Sequence, residues 1–252
     1  MMKYLITIIL SLILSNQVYA RCSSSGIWTY PSDGEISQNS IFIIEGFSRS
    51  QGIIDSLNIR YPMYLQADGH TVRLEVVETH KGMFLLTQAI LKPKSKLLPG
   101  KTYILKIGNY PTWEGQSIKQ WNSENGRNEA VTWKVSEILD VDSPEWIMKP
   151  KLVDKKTALY GCGPEAYSVF DLKIKDNSRS LIKTELYNIE TNQSTTYYLT
   201  LEENGKLNVG HGMCSGAFRF NKENNYKIRF SLIDLSGNSD NKWTDWLAIE
   251  NP

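Results

Sequence analysis

The stretch "VGHGMCSGAF" at 209–218 sets His211 three residues before Cys214, and "LYGCGPEAY" carries Cys162 between two glycines. An imidazole and two thiols could hold zinc, form a thiol nucleophile with its base, or leave a disulfide. Zinc is short of ligands, because structural sites use four and usually show paired short spacings, whereas His211, Cys162 and Cys214 make three. A catalytic thiol needs a base oriented by a third group and a placed oxyanion donor, and no such set is legible around His211 and Cys214. Two cysteines in one part of an exported chain are most economically a bridge, so the expectation is Cys162 paired with Cys214 and Cys22 left as a spare thiol. That cross-link would stabilise the fold by roughly 4 kcal/mol on the chain-entropy account. Glycines at 161, 163, 210, 212 and 216 would let backbone segments approach closely there.

Hard oxygen ligands occur in two runs, Asp140 and Asp142 in "ILDVDSPEW", and Asp234, Asn238 and Asp240 in "DLSGNSD". Calcium is the cation such groups suit, yet neither run has the spacing of a twelve-residue calcium loop. Turns select the same residue types, so turn structure is the reading and no cofactor is expected. His211, Cys214, Asp140, Asp142, Asp234 and Asn238 stay as the weak metal candidates.

Aromatic residues offer a third kind of chemistry. The polar connection "NYPTWEGQSIKQWNSENGRN" at 109–128 carries Tyr110, Trp113 and Trp121, whose rings could stack on sugar or anchor a protein. That loop is the candidate binding site. Trp133 and at least one of Trp243 and Trp246 alternate within strand-like runs and are assigned to cores. The chain holds no His-Glu-x-x-His, no Gly-x-Ser-x-Gly elbow and no phosphate-cradling glycine loop, so no catalytic residue is assigned.

The elements that must carry these residues read as strands. In "HTVRLEVVE" Val72, Leu74 and Val76 alternate with Arg73 and Glu75, the period of two expected of a sheet with one buried face. "SIFIIEGF", "GMFLLTQAIL", "KTYILKIG" and "EAVTWKVS", with a short pair near 54–66, complete about seven strands. A polar, proline-punctuated crossing at 139–146 precedes a second series: "TALYG", "YSVFDLKIK", "SLIKTELYNI", "STTYYLTLE", "AFRFN", "YKIRFSLID" and "WTDWLAIE". "YNIETNQSTTYYL" and "LEENGKLNV" read as hairpins, the latter with Asn204-Gly205 at its tip in a turn that wants two positive φ values.

Ahead of all this, "MMKYLITIILSLILSNQVYA" has one cation at Lys3, an apolar stretch and a small residue at Ala20, the pattern of a cleaved secretory signal. Cys22 follows Arg21 rather than a small residue, which argues against lipidation. Without Lys3 the basic residues equal the 27 acidic ones, so no electrostatic footprint for nucleic acid or anionic membrane exists. The "KPKSK" cluster at 92–96 reads as a solvated turn that discourages edge pairing.

"YPSDGEISQNSIFIIEGF" and "LKPKSKLLPGKTYILKI" resemble bacterial Ig-like modules, whose first strand follows a Pro-x-Asp-Gly turn and a later one a Leu-x-Pro-Gly-x-Thr-Tyr turn. "YKIRFSLIDLSGNSDNKW" is similar to the penultimate strand and Asp-x-x-Gly-Asn turn of bacterial Ig-like or fibronectin III-like modules. The resemblance covers about a third of the exported chain and implies β-sandwiches without a catalytic residue. The expectation is therefore an all-β protein of two tandem Ig-like sandwiches, 21–139 and 140–252, after a signal peptide at 1–20. It would be a secreted, periplasmic or cell-surface binding, adhesion or spacer protein, with a protein or carbohydrate partner and no enzyme activity. The alternative is an enzyme accessory or hydrolase whose site lies between the two domains.

Overall fold

The computed structural model describes residues 21–110, 118–122 and 125–252; the expected signal peptide and Trp113 lie outside them. The fold is all-β and sandwich-like, as expected. No helix among the described residues is long and apolar enough to cross a membrane.

Strands β1 (Ser25–Tyr30), β2 (Gly34–Ile36), β3 (Phe42–Ser48), β4 (Met63–Ala67), β5 (His70–Lys81), β6 (Leu86–Pro93), β7 (Thr102–Ile107) and β10 (Thr132–Val135) form one sheet. Its order is β1-β3-β6-β5-β4-β7-β10-β2. The sheet folds over at β5, whose residues 70–73 pair with β4 while 74–81 pair with β6. Between the two wings lie Phe42, Ile44, Ala89 and Leu91 from one side and Met63, Leu65, Tyr103, Leu105 and Trp133 from the other. Trp133 is buried as expected, its ring on Phe42 and its indole N–H donating to the Pro31 carbonyl at 3.1 Å. Where a second short strand was expected near 54, the chain instead makes a single helical turn, α1 (Gln51–Ile54), that plugs Ile53 and Ile54 into this core. A small hairpin of β8 (Lys119–Asn122) and β9 (Arg127–Ala130) stands apart.

After an irregular segment at 136–144, β11 (Glu145–Tyr160), β12 (Gly163–Lys175) and β15 (Leu207–His211) make a three-stranded sheet. It faces a four-stranded one ordered β14 (Gln193–Leu199), β13 (Ser180–Asn188), β16 (Tyr226–Asp234) and β17 (Leu247–Ile249). Phe170, Leu172, Leu207 and Val209 meet Ile182, Leu186, Ile228 and Phe230 between them. The edge strand β11 is mostly exposed and carries Lys149, Pro150, Lys151, Lys155 and Lys156, residues that discourage pairing with another chain.

Three expectations of detail fail here. "AFRFN" forms no strand, because Gly216 and Ala217 are drawn to residues 83 and 84 in the first half of the chain. "WTDWLAIE" is a strand only from Leu247, since the two tryptophans before it lie over cationic side chains. "LEENGKLNV" turns between Glu202 and Lys206, with positive φ at Gly205 alone, but β14 and β15 leave that turn into different sheets, so it is no hairpin.

The two halves meet across a buried face. Phe42 and Ile44 of β3 point into the first core, while Ile41, Ile43 and Ile90 point the other way and pack on Leu181, Tyr198 and Leu235. Strands apolar on both faces are what an internal layer requires. A bulge at Val77 of β5 assists: the register steps from Val76 opposite Leu91 to Glu78 opposite Ile90, so Glu78 and His80 turn out of the core and toward the second half. There Glu78 meets Lys183 at 2.9 Å and the Tyr198 hydroxyl at 3.2 Å. Backbone bonds join the halves as well, from Ile41 N–H to the Leu235 carbonyl and in both directions between Phe84 and Gly216.

Candidate functional site

The cysteines pair differently from expectation. Cys22 is bonded to Cys214, with Cα atoms 5.7 Å apart, and Cys162 is the free thiol. Reasoning within one half of the chain missed this because the loop after β15 crosses to the other half. Gly216 bridges to Phe84, which brings Cys214 against the lead-in to β1. Closing a loop of 192 residues is worth about 5 kcal/mol on the chain-entropy account. Cys162 is nonetheless close, for the three Sγ atoms all lie within 4.8 Å of one another. Among the described residues His211 belongs to no such ligand group: it is buried, its Nδ1 2.9 Å from the Gly212 carbonyl and its ring edge-on to Phe84.

Two of the expected glycines prove sterically obligatory. A Cβ on Gly210 would stand 2.0 Å from the Ala166 carbonyl oxygen, and one on Gly216 would stand 2.2 Å from the His211 Cβ. The hairpin-like crossing of 209–218 depends on both.

Of the acidic candidates, Asp140 and Asp234 do come together, and Asp176, which sequence reasoning passed over, joins them with carboxylate oxygens within 4.8 Å. Their oxygens are engaged by turn groups. Asp234 accepts from the amides of Ser236 and Asn238 and from the Asn238 side chain, Asp140 from the Asp142 amide and the Ser236 hydroxyl, and Asp176 from Ser178 and Ser180. Asp142 is exposed beside the group and outside it. Burial, with Asp140 nearby, pushes the Asp234 carboxyl up to about 6.

The aromatic loop is described only in part. Tyr110 is partly buried against the first core, and Trp121 lies in β8 opposite Asn128, its side chain outside the described set like all of Trp113. Trp243 and Trp246 are half-buried rather than in a core, contrary to expectation. The Arg229 guanidinium lies 4.5 Å from the Trp243 ring centre and 4.4 Å from that of Trp246, and Lys227 sits 4.9 Å from Trp246 and 4.5 Å from Tyr187. These side chains project from the outer face of β13 and β16, so the rings cover cations instead of filling the sandwich.

The arrangement best suited to a ligand lies elsewhere, in a cleft of about 370 Å³ between the two halves. Strands β1, β3 and β6 present Trp28, Tyr30, Glu45 and Gln88 on one wall; β12, β14 and β15 present Tyr167, Tyr197, Tyr198 and Asn208 on the other; the loop at 215–217 also lines it. Trp28 stands directly across the strand pair from Glu45 and remains half-exposed because β1 is a sheet edge. Its ring folds back over Gly26, where a Cβ would meet it at 2.9 Å.

The cleft is electrostatically unusual for a neutral protein. The Tyr197 hydroxyl donates to Glu45 at 2.5 Å, and burial raises the Glu45 carboxyl above the ordinary range while that bond opposes the rise. Burial likewise raises the phenols of Tyr167 and Tyr197, which stay neutral donors. Asn208 Oδ1 is shielded from solvent and lacks a hydrogen-bond partner. Such an orphan acceptor costs about 1 to 3 kcal/mol unless something donates to it. None of these cleft residues was singled out from the sequence, though a signal existed: Glu45 and Gln88 are polar residues in the middle of strands that are otherwise largely apolar on both faces.

No family model matches the chain, and no curated protein matches it. Among solved structures it is similar to a pullulanase from Anoxybacillus sp. LM18-11 complexed with maltotriose, at 10% identity and a TM-score of 0.25 over 83% of this chain and 24% of that one. It is also similar to a type I pullulanase from Bacillus subtilis str. 168 complexed with maltose, at 9% identity and a TM-score of 0.24 over 91% and 24%. The chain thus spans about a quarter of the length of those enzymes, and at such scores none of their properties is carried over.

Proposed function

We propose that this is an exported, non-enzymatic binding protein of two Ig-like sandwiches held in one orientation, and that it takes a small polyhydroxylated ligand, a carbohydrate, in the cleft between them. The disulfide supports an oxidising compartment. The observation that carries the ligand reading is the set of aromatic rings that face one another across the cleft, Trp28 and Tyr30 on one wall and Tyr167 on the other. Aromatic faces suit the C–H faces of a sugar ring, and the polar groups of Thr200 and Glu202, which line the same cleft, suit its hydroxyls. Gln88 is not part of that inventory, because both ends of its amide are already engaged by Tyr198.

The test is calorimetric titration of the exported chain with a panel of soluble oligosaccharides, followed by Trp28→Ala and Tyr167→Ala. Saccharide binding lost in both variants at unchanged melting temperature supports the cleft. Binding that survives both but disappears on replacing Trp113 and Trp121 moves the site to the 109–128 loop. A panel without any binder removes the carbohydrate reading.

One observation favours a hydrolase as the second reading. Glu45 is a carboxyl raised by burial, as a general acid would be, and Glu202 lines the same cleft. Turnover of a glycoside or peptide substrate that Glu45→Gln abolishes would establish it.

A further inference from the structure

We infer that the three cysteines form a thiol–disulfide exchange site, in which Cys162 displaces Cys22 from Cys214. The pairing observed, Cys22 with Cys214, leaves a third sulfur within 4.8 Å of both bonded ones. Cys162 sits at the tip between β11 and β12, flanked by Gly161 and Gly163, and is half-buried rather than sealed in. This tip already abuts the loop that carries Cys214: a Cβ on Gly163 would lie 3.2 Å from the Met213 carbonyl oxygen.

The step needs no external oxidant. The Cys162 thiol gives up its proton to solvent; its thiolate attacks Cys214 Sγ, the Cys162–Cys214 bond forms, and the Cys22–Cys214 bond breaks. The electron pair leaves on Cys22 Sγ, which takes a proton from water, so one disulfide and one thiol stand on each side. Cys22 is the better leaving partner on structural grounds. It precedes β1 in a segment without regular structure, whereas Cys214 is held by the Gly212 to Ser215 bond and by the bridge of Gly216 to Phe84. Exchange therefore converts a cross-link between the two halves into one within the second half. It also unties β1, which presents Trp28 and Tyr30 to the cleft, from the loop whose residues 215–217 line the same cleft.

The experiment uses the exported wild-type chain, incubated without added thiol at pH 6, 7 and 8, quenched with acid, unfolded, alkylated and mapped by peptide mass spectrometry. The expected result is loss of label from Cys162 matched by gain on Cys22, with a Cys162–Cys214 peptide appearing. Its rate should rise with pH, because thiolate is the attacking species, and should not change with protein concentration. Label confined to Cys162 at every pH overturns the proposal, and so does a rate proportional to protein concentration, which would mean exchange between molecules. A Cys22→Ser variant treated with oxidised glutathione gives a second reading: it should close Cys162 to Cys214 with no free thiol, while stable glutathione adducts on both cysteines count against the site.

Discussion

The Gln88 side chain grips the backbone of Tyr198 from both sides, accepting the Tyr198 N–H at 3.0 Å and donating to its carbonyl at 3.0 Å. Gln88 lies on β6 and Tyr198 on β14, so a single amide imitates a strand pairing across the junction of the two halves.

Gln88→Ala leaves two backbone groups buried and unpaired, each costing about 1 to 3 kcal/mol. The expected outcome is a loss of about 2 to 6 kcal/mol, read as a lower urea midpoint at unchanged slope. A midpoint within error of wild type would show that water can take the place of the amide.

Glu78 joins the same junction electrostatically. The hydrogen bond with His80, and then Lys183, lower its carboxyl from 4.5 to about 2. A lowered carboxylate stabilises the fold above its unfolded value and loses that contribution as pH falls from about 4.5 toward 2. Since the side chain is 40% exposed, about 1 kcal/mol is expected. Denaturation of wild type and Glu78→Gln should differ at pH 6 and converge near pH 2.

Asp234 has the opposite sign. Its carboxyl is raised from 3.8 to about 6, so its contribution is most favourable below about 4 and is lost as pH rises to 6. Acidifying wild type from pH 7 to 4 should recover on the order of 1 to 2 kcal/mol that Asp234→Asn does not recover, measured by urea midpoints of the two proteins across that range.

Trp246 touches both Arg229 and Lys227. Replacing it with alanine should cost about 1 to 2 kcal/mol, and the Arg229→Met, Trp246→Ala double variant should cost less than the sum of the two single ones. Additive losses would mean that the rings pack without electrostatic coupling.

The legibility of this fold follows the range of the forces involved. Alternation in β5 announced a half-wet strand, and Val72 and Leu74 are buried beside exposed Arg73 and Glu75. The double-sided apolar character of "FIIEGF" and "TQAIL" was also present in the sequence, but it identifies an internal layer only once the partner layer is known. The bulge at Val77 left no local mark, because an extra residue shows itself only against the strand opposite. The cysteine pairing failed for a related reason: it is set by the contact of Gly216 with Phe84, 132 positions away along the chain. The Trp243 and Trp246 spacing looked like core alternation, and what decides otherwise is that Lys227 and Arg229 occupy the same face of the neighbouring strand.

The position of the Cys22–Cys214 bond has a mechanical meaning. Tension applied to the chain ahead of Cys22 and at its far end passes through the sulfurs and skips everything from Ser23 to Met213. Only the stretch after Cys214, with β16 and β17, carries the pull. Transfer of the bond to Cys162 would put β1 to β11 back in series, so the same protein would be short and stiff under force in one pairing and extensible in the other.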